Sequence, residues 1–298
     1  MKKRIIRIAS LALVILGMVS CSDEQETALR PQDAKSIPMT FLVNHPGQAS
    51  RATDTNFEKN DKIGLYVADA KAQLEIGGNL VNNETLTYDG RNWAAARTLY
   101  WDEGTYTAYA YYPYMENVSS ITDQPFSVAL DQRVAKTATS LGGYEASDLL
   151  FATSKNITAS DSPINLTFKH IMSKLKIRLV KGEDFEGEMP ATADVYIHNT
   201  VPTATVDLQA GVATRYVKGT RHTIIAHQDD EASYSAIIVP QRIDNRMPLI
   251  EVVMNGVSYL YESKFQFKPG IEHLVNLIIS DNPDQVKIEI GGEIQNWQ

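Results

Sequence analysis

The chain is predicted to be all-β, and three observations predict it. Runs of five to ten residues rich in Val, Ile, Tyr, Phe and Thr recur from Lys62 to Ser280, separated by clusters of Gly, Pro, Asn and Asp. Several of these runs alternate apolar and polar residues with period two. No long segment carries the 3.6-residue apolar period of a helix.

The N-terminus is a different kind of sequence. Lys2, Lys3, Arg4 and Arg7 precede an apolar stretch, Ile8 to Val19. It is shorter than the roughly 18 to 20 residues a bilayer-spanning helix needs, so residues 1–20 read as a signal peptide. The stretch ends "MVSC", where Cys21 is the only cysteine of the chain. This resembles the lipobox of bacterial lipoproteins, and Cys21 would then be the lipidated mature N-terminus. A lone cysteine excludes an intramolecular disulfide framework. "SDEQE" follows it and resembles the surface-export signal of Bacteroidetes lipoproteins, so residues 21–37 read as a tether.

Removing residues 1–20 takes four positive charges from 28, leaving 24 against 36 acidic residues, a net charge of −12. That balance disfavours nucleic acid and anionic lipid surfaces as partners. The remaining length, about 280 residues, suggests two domains, each able to bury its own core.

The β-runs follow in order. In "MTFLVN", Met39, Phe41 and Val43 alternate with Thr40 and Asn44, and Leu42 is the one apolar residue on the outer face. "HPGQASRATD" then supplies Pro, Gly and small residues around Arg51, the composition of an extended, cuttable loop. After it come "KIGLYVA", "TYTAYAYYPY", "PINLTFKH", "KLKIRLV", "ATADVYIHN", "TATVDLQ", "YSAIIVPQ", "LIEVVMN", "VSYLYES", "KFQFKPG" and "HLVNLIIS". In "KLKIRLV", Leu175, Ile177 and Leu179 point one way while Lys174, Lys176 and Arg178 point the other, as in a sheet with one wet face. Asn255-Gly256 between two runs predicts a type I′ hairpin.

"VAKTATSLGGYEASD" and "TSKNITASDSP" read as loops on either side of "LLFA", which places a domain boundary near Pro163 and gives domains at 38–163 and 164–298. At the C-terminus, Val286, Ile288 and Ile290 alternate with Lys287 and Glu289. Gly291-Gly292 makes a poor strand interior and a good hinge, so the run 285–298 is expected to stand away from its own sheet.

Sites of chemistry are missing from this pattern. The six histidines lack metal-ligand spacing; His222 and His227 fall on opposite faces of a strand, and His170 reads as a structural histidine. Asp229, Asp230 and Glu231 lack the spacing of a calcium loop and read as a solvated turn. There is no G-x-S-x-G elbow, P-loop or dinucleotide fingerprint. No catalytic residue, metal or cofactor is assigned, and the chain is not expected to be an enzyme. The tyrosines from Tyr106 to Tyr114 read as core or cross-strand pairs, with sugar stacking as the rival use.

Several stretches together resemble the fimbrillin family, the type V pilins and related surface lipoproteins of Bacteroidetes. They are "SRATDTNFEKNDKIGLYV", "RTLYWDEGTYTAYAYYPY", "DLLFA" with "INLTFKHIMSKLKIRL", "AIIVPQ", and a terminal β-run ending in Trp297; in order they cover most of residues 38–298. The resemblance implies two tandem transthyretin-like β-sandwich domains. It implies assembly with other fimbrial subunits rather than catalysis, at the cell surface as an outer-membrane lipoprotein or in a fimbrium. A protease would cut between Arg51 and Ala52 and remove the strand of Met39, Phe41 and Val43. A neighbour's donor strand, offering Val286, Ile288 and Ile290, would then fill the groove. The rival expectation is a monomeric surface lipoprotein that binds host protein or glycan through tyrosine-rich loops.

Overall fold

The computed structural model describes residues 36–46, 56–280, 287–289 and 295–297. Cys21, Arg51, Ala52, Val286 and Ile290 lie outside the described residues. Up to Thr167 the chain forms β1 (Phe41–Asn44), β2 (Lys62–Asp69), β3 (Val81–Tyr88), β4 (Trp93–Ala95), β5 (Thr105–Tyr112), β6 (Gln124–Ser127), the short helix α1 (Gly143–Ser147), β7 (Leu150–Thr158) and β8 (Ile164–Thr167). It continues with β9 (Lys169–His170), β10 (Ser173–Lys181), β11 (Asp194–Thr200), β12 (Thr203–Asp207), β13 (Val212–Arg215), β14 (His222–Ile225), β15 (His227–Asp230), β16 (Ser233–Ile238), β17 (Gln241–Met254), β18 (Val257–Phe267), β19 (Ile271–Ile279), β20 (Lys287–Glu289) and β21 (Gln295–Asn296).

A six-stranded sheet in the order β4-β3-β2-β5-β7-β9 lies at the centre. Ile63, Leu65 and Val67 of β2, with Ala108, Ala110 and Tyr112 of β5, face one apolar cluster. Tyr66 and Ala68, with Tyr109 and Tyr111, face a second. The sheet is buried on both sides, which is why "KIGLYVA" and "TYTAYAYY" are apolar almost throughout. Gly64 is required there: it lies opposite Tyr111, and a Cβ would stand 2.3 Å from that ring.

The first cluster is closed by the parallel pair β1-β8 together with Trp93, Leu99, Trp101 and Phe168. Ile164 and Leu166, which follow Pro163 in sequence, pack here beside Met39. The second cluster is closed by three sheets, ordered β15-β16-β10-β19-β20, β14-β11-β17-β18 and β13-β12-β6.

In β10, Leu175, Ile177 and Leu179 are buried and Arg178 is exposed, matching the alternation in sequence. Lys174 departs from it: the side chain is buried, its ammonium 3.3 Å from Glu272. Asn255 and Gly256 have φ of 49° and 78°, the two positive values a type I′ turn needs.

Two segments expected to be loops are partly ordered. Residues through Thr158 extend β7, because beyond Leu150 and Phe151, which β9 covers, β7 is the edge of its sheet and tolerates polar side chains. Within "LGGYEASD" the chain winds into α1, with Tyr144 buried and the Ser147 hydroxyl donating to the Gly143 carbonyl at 2.6 Å. The C-terminal run also needs correction. Lys287–Glu289 do not stand away from the sheet; they pair antiparallel with β19, Ile288 opposite Leu277, and so satisfy the edge that β19 turns away from β10.

Candidate functional site: the first strand and the groove it fills

Residues 37–44 occupy a slot with two different walls. On one, the Met39 N–H donates to the Leu99 carbonyl at 2.8 Å and the Trp101 N–H to the Ile37 carbonyl at 2.9 Å, an antiparallel approach with Pro38 opposite Tyr100. On the other, β1 runs parallel to β8, Phe41 opposite Ile164 and Val43 opposite Leu166. The Ile164 N–H donates to the Thr40 carbonyl at 2.8 Å and the Phe168 N–H to the Asn44 carbonyl at 3.0 Å. The Asn44 side-chain amide donates to the Asn165 amide oxygen at 2.8 Å.

Side chains obey the same alternation. Met39 is buried, Phe41 and Val43 pack half-buried on the first cluster, and Leu42 is 50% exposed. A cleft of about 260 Å³ remains beside the strand, lined by Phe41, Val43, His45, Phe57 and Trp93 among others. The strand is therefore held by main-chain bonds and an incompletely packed apolar stripe, worth roughly 3 to 6 kcal/mol of side-chain burial. The slot accepts apolar side chains at alternate positions of the strand that fills it.

The chain leaves β1 at His45 and is anchored again at Phe57, whose ring centroid lies 4.9 Å from that of His45. Phe57 sits edge-on to Trp93, Tyr112 and Phe168 at 5.0, 5.4 and 5.6 Å. Next to it, the Lys136 ammonium bridges Glu58 at 2.8 Å and Asp61 at 3.3 Å. Burial pulls the Lys136 pKa down, but the Glu58 and Asp61 carboxylates more than offset it and leave the ammonium above its ordinary value. Phe57, Glu58 and Asp61 are thus fixed to the body through Trp93, Tyr112, Phe168 and Lys136.

The other residues singled out by sequence are dispersed. His170 is buried and its Nδ1 lies 2.9 Å from Asp148. The His222 Nε2 meets the Thr220 hydroxyl at 2.8 Å, and the His227 ring lies 5.1 Å from Tyr144. Asp229 accepts from the Ser235 hydroxyl at 2.6 Å and Asp230 from the Ala232 N–H at 3.0 Å. Among the described residues no three His, Cys, Asp or Glu side chains converge as metal ligands. Tyr106, Tyr109, Tyr111 and Tyr112 are buried in β5, in keeping with their reading as core or cross-strand residues, and the central sheet uses those rings in its own two cores rather than for stacking sugars.

Sequence reading missed the walls of the slot. Leu99–Trp101 and Ile164–Leu166 are apolar and alternate, yet alternation shows which face is apolar and not what it faces. It also missed a polar ladder across β14, β11, β17 and β18. There His198 lies 2.9 Å from Thr223 and 2.8 Å from Glu251, which accepts from Ser258 at 2.6 Å.

A model of the fimbrillin-like family matches residues 50–297. No curated protein matches the chain. Among solved structures, a candidate cell adhesion protein from Bacteroides uniformis is similar with a TM-score of 0.68 at 21% identity, covering 90% of this chain and 100% of that one. One from Bacteroides ovatus gives 0.67 at 18%, covering 89% and 98%. The tip fimbrial protein Mfa3 from Porphyromonas gingivalis, with C-terminal truncation, gives 0.52 at 7%, covering 85% and 98%. At these identities the likeness is one of fold.

Proposed function

Because the chain belongs to the fimbrillin-like family, we propose that it is a fimbrial subunit or adhesin of the cell surface, assembled by exchange of its first strand. The single observation that carries this reading is the seating of β1, a short strand bonded along β8 and beside Leu99–Trp101. Structural likeness to a tip fimbrial protein and to candidate cell adhesion proteins agrees with it.

In this reading Cys21 carries the lipid that brings the subunit to the outer membrane. A protease cuts between Arg51 and Ala52, and Met39, Phe41 and Val43 leave together. A neighbour then adds a strand to the groove, with Val286, Ile288 and Ile290 as its apolar stripe. Main-chain bonds supply affinity and the alternate pockets supply register. The proposal also holds the chain to be two transthyretin-like sandwiches. With the division near Pro163, β8 and β9 cross over to pair with β1 and β7. The role asks for no catalytic residue.

An arginine-specific protease tests it. The mature protein should be cut at Arg51 and, on incubation, give SDS-resistant ladders. The Arg51→Ala variant should give neither, and cut protein that stays monomeric would refute the exchange.

A further inference from the structure

The last described residue of the chain and the last described residues of the β1 segment meet on one imidazole. The Trp297 indole lies flat on His170, ring centroids 3.6 Å apart and planes 10° from parallel. His45 approaches the same ring edge-on at 6.1 Å. The imidazole cannot turn away, because its Nδ1 is tied to Asp148 and its side chain is only 2% exposed. Lys174, buried against Glu272, places its ammonium 5.7 Å from the indole centroid. The Trp297 backbone N–H donates to the Gly270 carbonyl at 3.0 Å.

Little else among the described residues fastens this end. β20 contributes three paired residues and β21 two, ladders too short to hold a strand against fraying. A tryptophan brings a large apolar surface and a defined stacking geometry to one spot, and here adds a cation over its face. Among the described residues the indole is thus the side chain that fastens the C-terminal run.

We propose that Trp297 is a latch: its indole on His170 holds the C-terminal run on its own sheet and senses, through that imidazole, whether the segment ending at His45 is in place. Loss of residues 36–46 removes His45, lets water reach the edge of His170 and loosens the stack that retains Lys287–Glu289 and Gln295–Trp297. The two chain ends are then linked, each weakening when the other leaves, by the same factor in either direction. Its use in assembly rests on the strand-exchange reading above, but the latch itself stands on these contacts.

Hydrogen exchange on the full mature chain tests it. Trp297→Ala should raise exchange at Lys287–Glu289 and Gln295–Asn296 about two- to tenfold, the range a ring pair supplies, with β2 and β5 amides unchanged. Trp297→Phe, which keeps a flat ring, should retain most of the protection. His45→Ala should raise exchange at the same C-terminal amides by about twofold or more, and Trp297→Ala should do likewise at Phe41–Asn44. Unchanged C-terminal exchange in Trp297→Ala overturns the latch, and unchanged exchange there in His45→Ala overturns the sensing. If cut protein assembles while Trp297→Ala leaves the C-terminal run protected, the latch fails and the subunit reading stands. If the run loosens and nothing assembles, the reverse holds.

Discussion

Phe41 lies opposite Ile164 in a parallel strand pair, although 122 residues separate them in sequence. Their strands shield the same apolar cluster, so the first described stretch of the chain stands as a wall of a core built mostly by later residues. Charge on the inner face of that wall should be costly. Met39→Asp is expected to destabilise the uncut protein by roughly 2 to 4 kcal/mol, because it buries an unpaired carboxylate, while Leu42→Asp should stay within about 0.5 kcal/mol. Urea midpoints of the two variants check this.

Gly64 lets the Tyr111 ring pass across the central sheet where a Cβ would be. Gly64→Ala should cost about 1 to 3 kcal/mol, since the ring is buried and cannot swing clear. Pairing it with Tyr111→Ala relieves the clash, so a double-mutant cycle should return a favourable coupling of similar size.

His273 makes stability depend on acid. Its Nε2 accepts from the Lys268 N–H at 3.2 Å, and its ring sits 5.3 Å from Phe265. Burial, then the Lys268 charge, hold its pKa down to about 4. The unfolded chain takes up that proton near pH 6.5 and the folded one does not until about 4. The contribution is therefore complete above pH 6.5 and lost as pH falls toward 4, on the order of 1 to 3 kcal/mol. His273→Phe should flatten urea stability across that window.

Alkali acts through the central tyrosines. Burial chiefly, with the neighbouring Tyr114 phenol, pushes Tyr66 up to about 12, and burial also raises Tyr111 and Tyr112. An acid whose folded pKa is raised stabilises the fold fully below its unfolded value near 10 and loses that effect as pH climbs toward 12. Tyrosinate absorbance and loss of structure should therefore rise together above pH 10. Tyrosinate forming in an intact fold would contradict the burial of these rings.

Sequence carried the elements whose neighbours are local. The "KLKIRLV" alternation and the Asn255-Gly256 turn are set by residues within a few positions, and both are found. The stripe of Met39, Phe41 and Val43 could be seen in the same way. What it packs against could not, because β1 meets β8, and Gln124–Ser127 of β6 meets Thr203–Asp207 of β12, across spans no periodicity records. The tyrosines of β5 read as core and are core, but which of the two apolar clusters each ring joins was not legible, because a sheet covered on both faces loses its alternation. Lys174 looked solvated because nothing near it in sequence announces Glu272 or Trp297.

The central claim is that β1 must leave its groove before the protein can assemble. A reversible lock tests it most directly: Phe41→Cys with Ile164→Cys, in a Cys21→Ser background, places two thiols on facing strand positions. Oxidised and then cut at Arg51, this protein should remain monomeric on SDS gels, and reduction should restore the ladder of the unlocked protein. Ladders formed equally well with the lock closed would contradict the account.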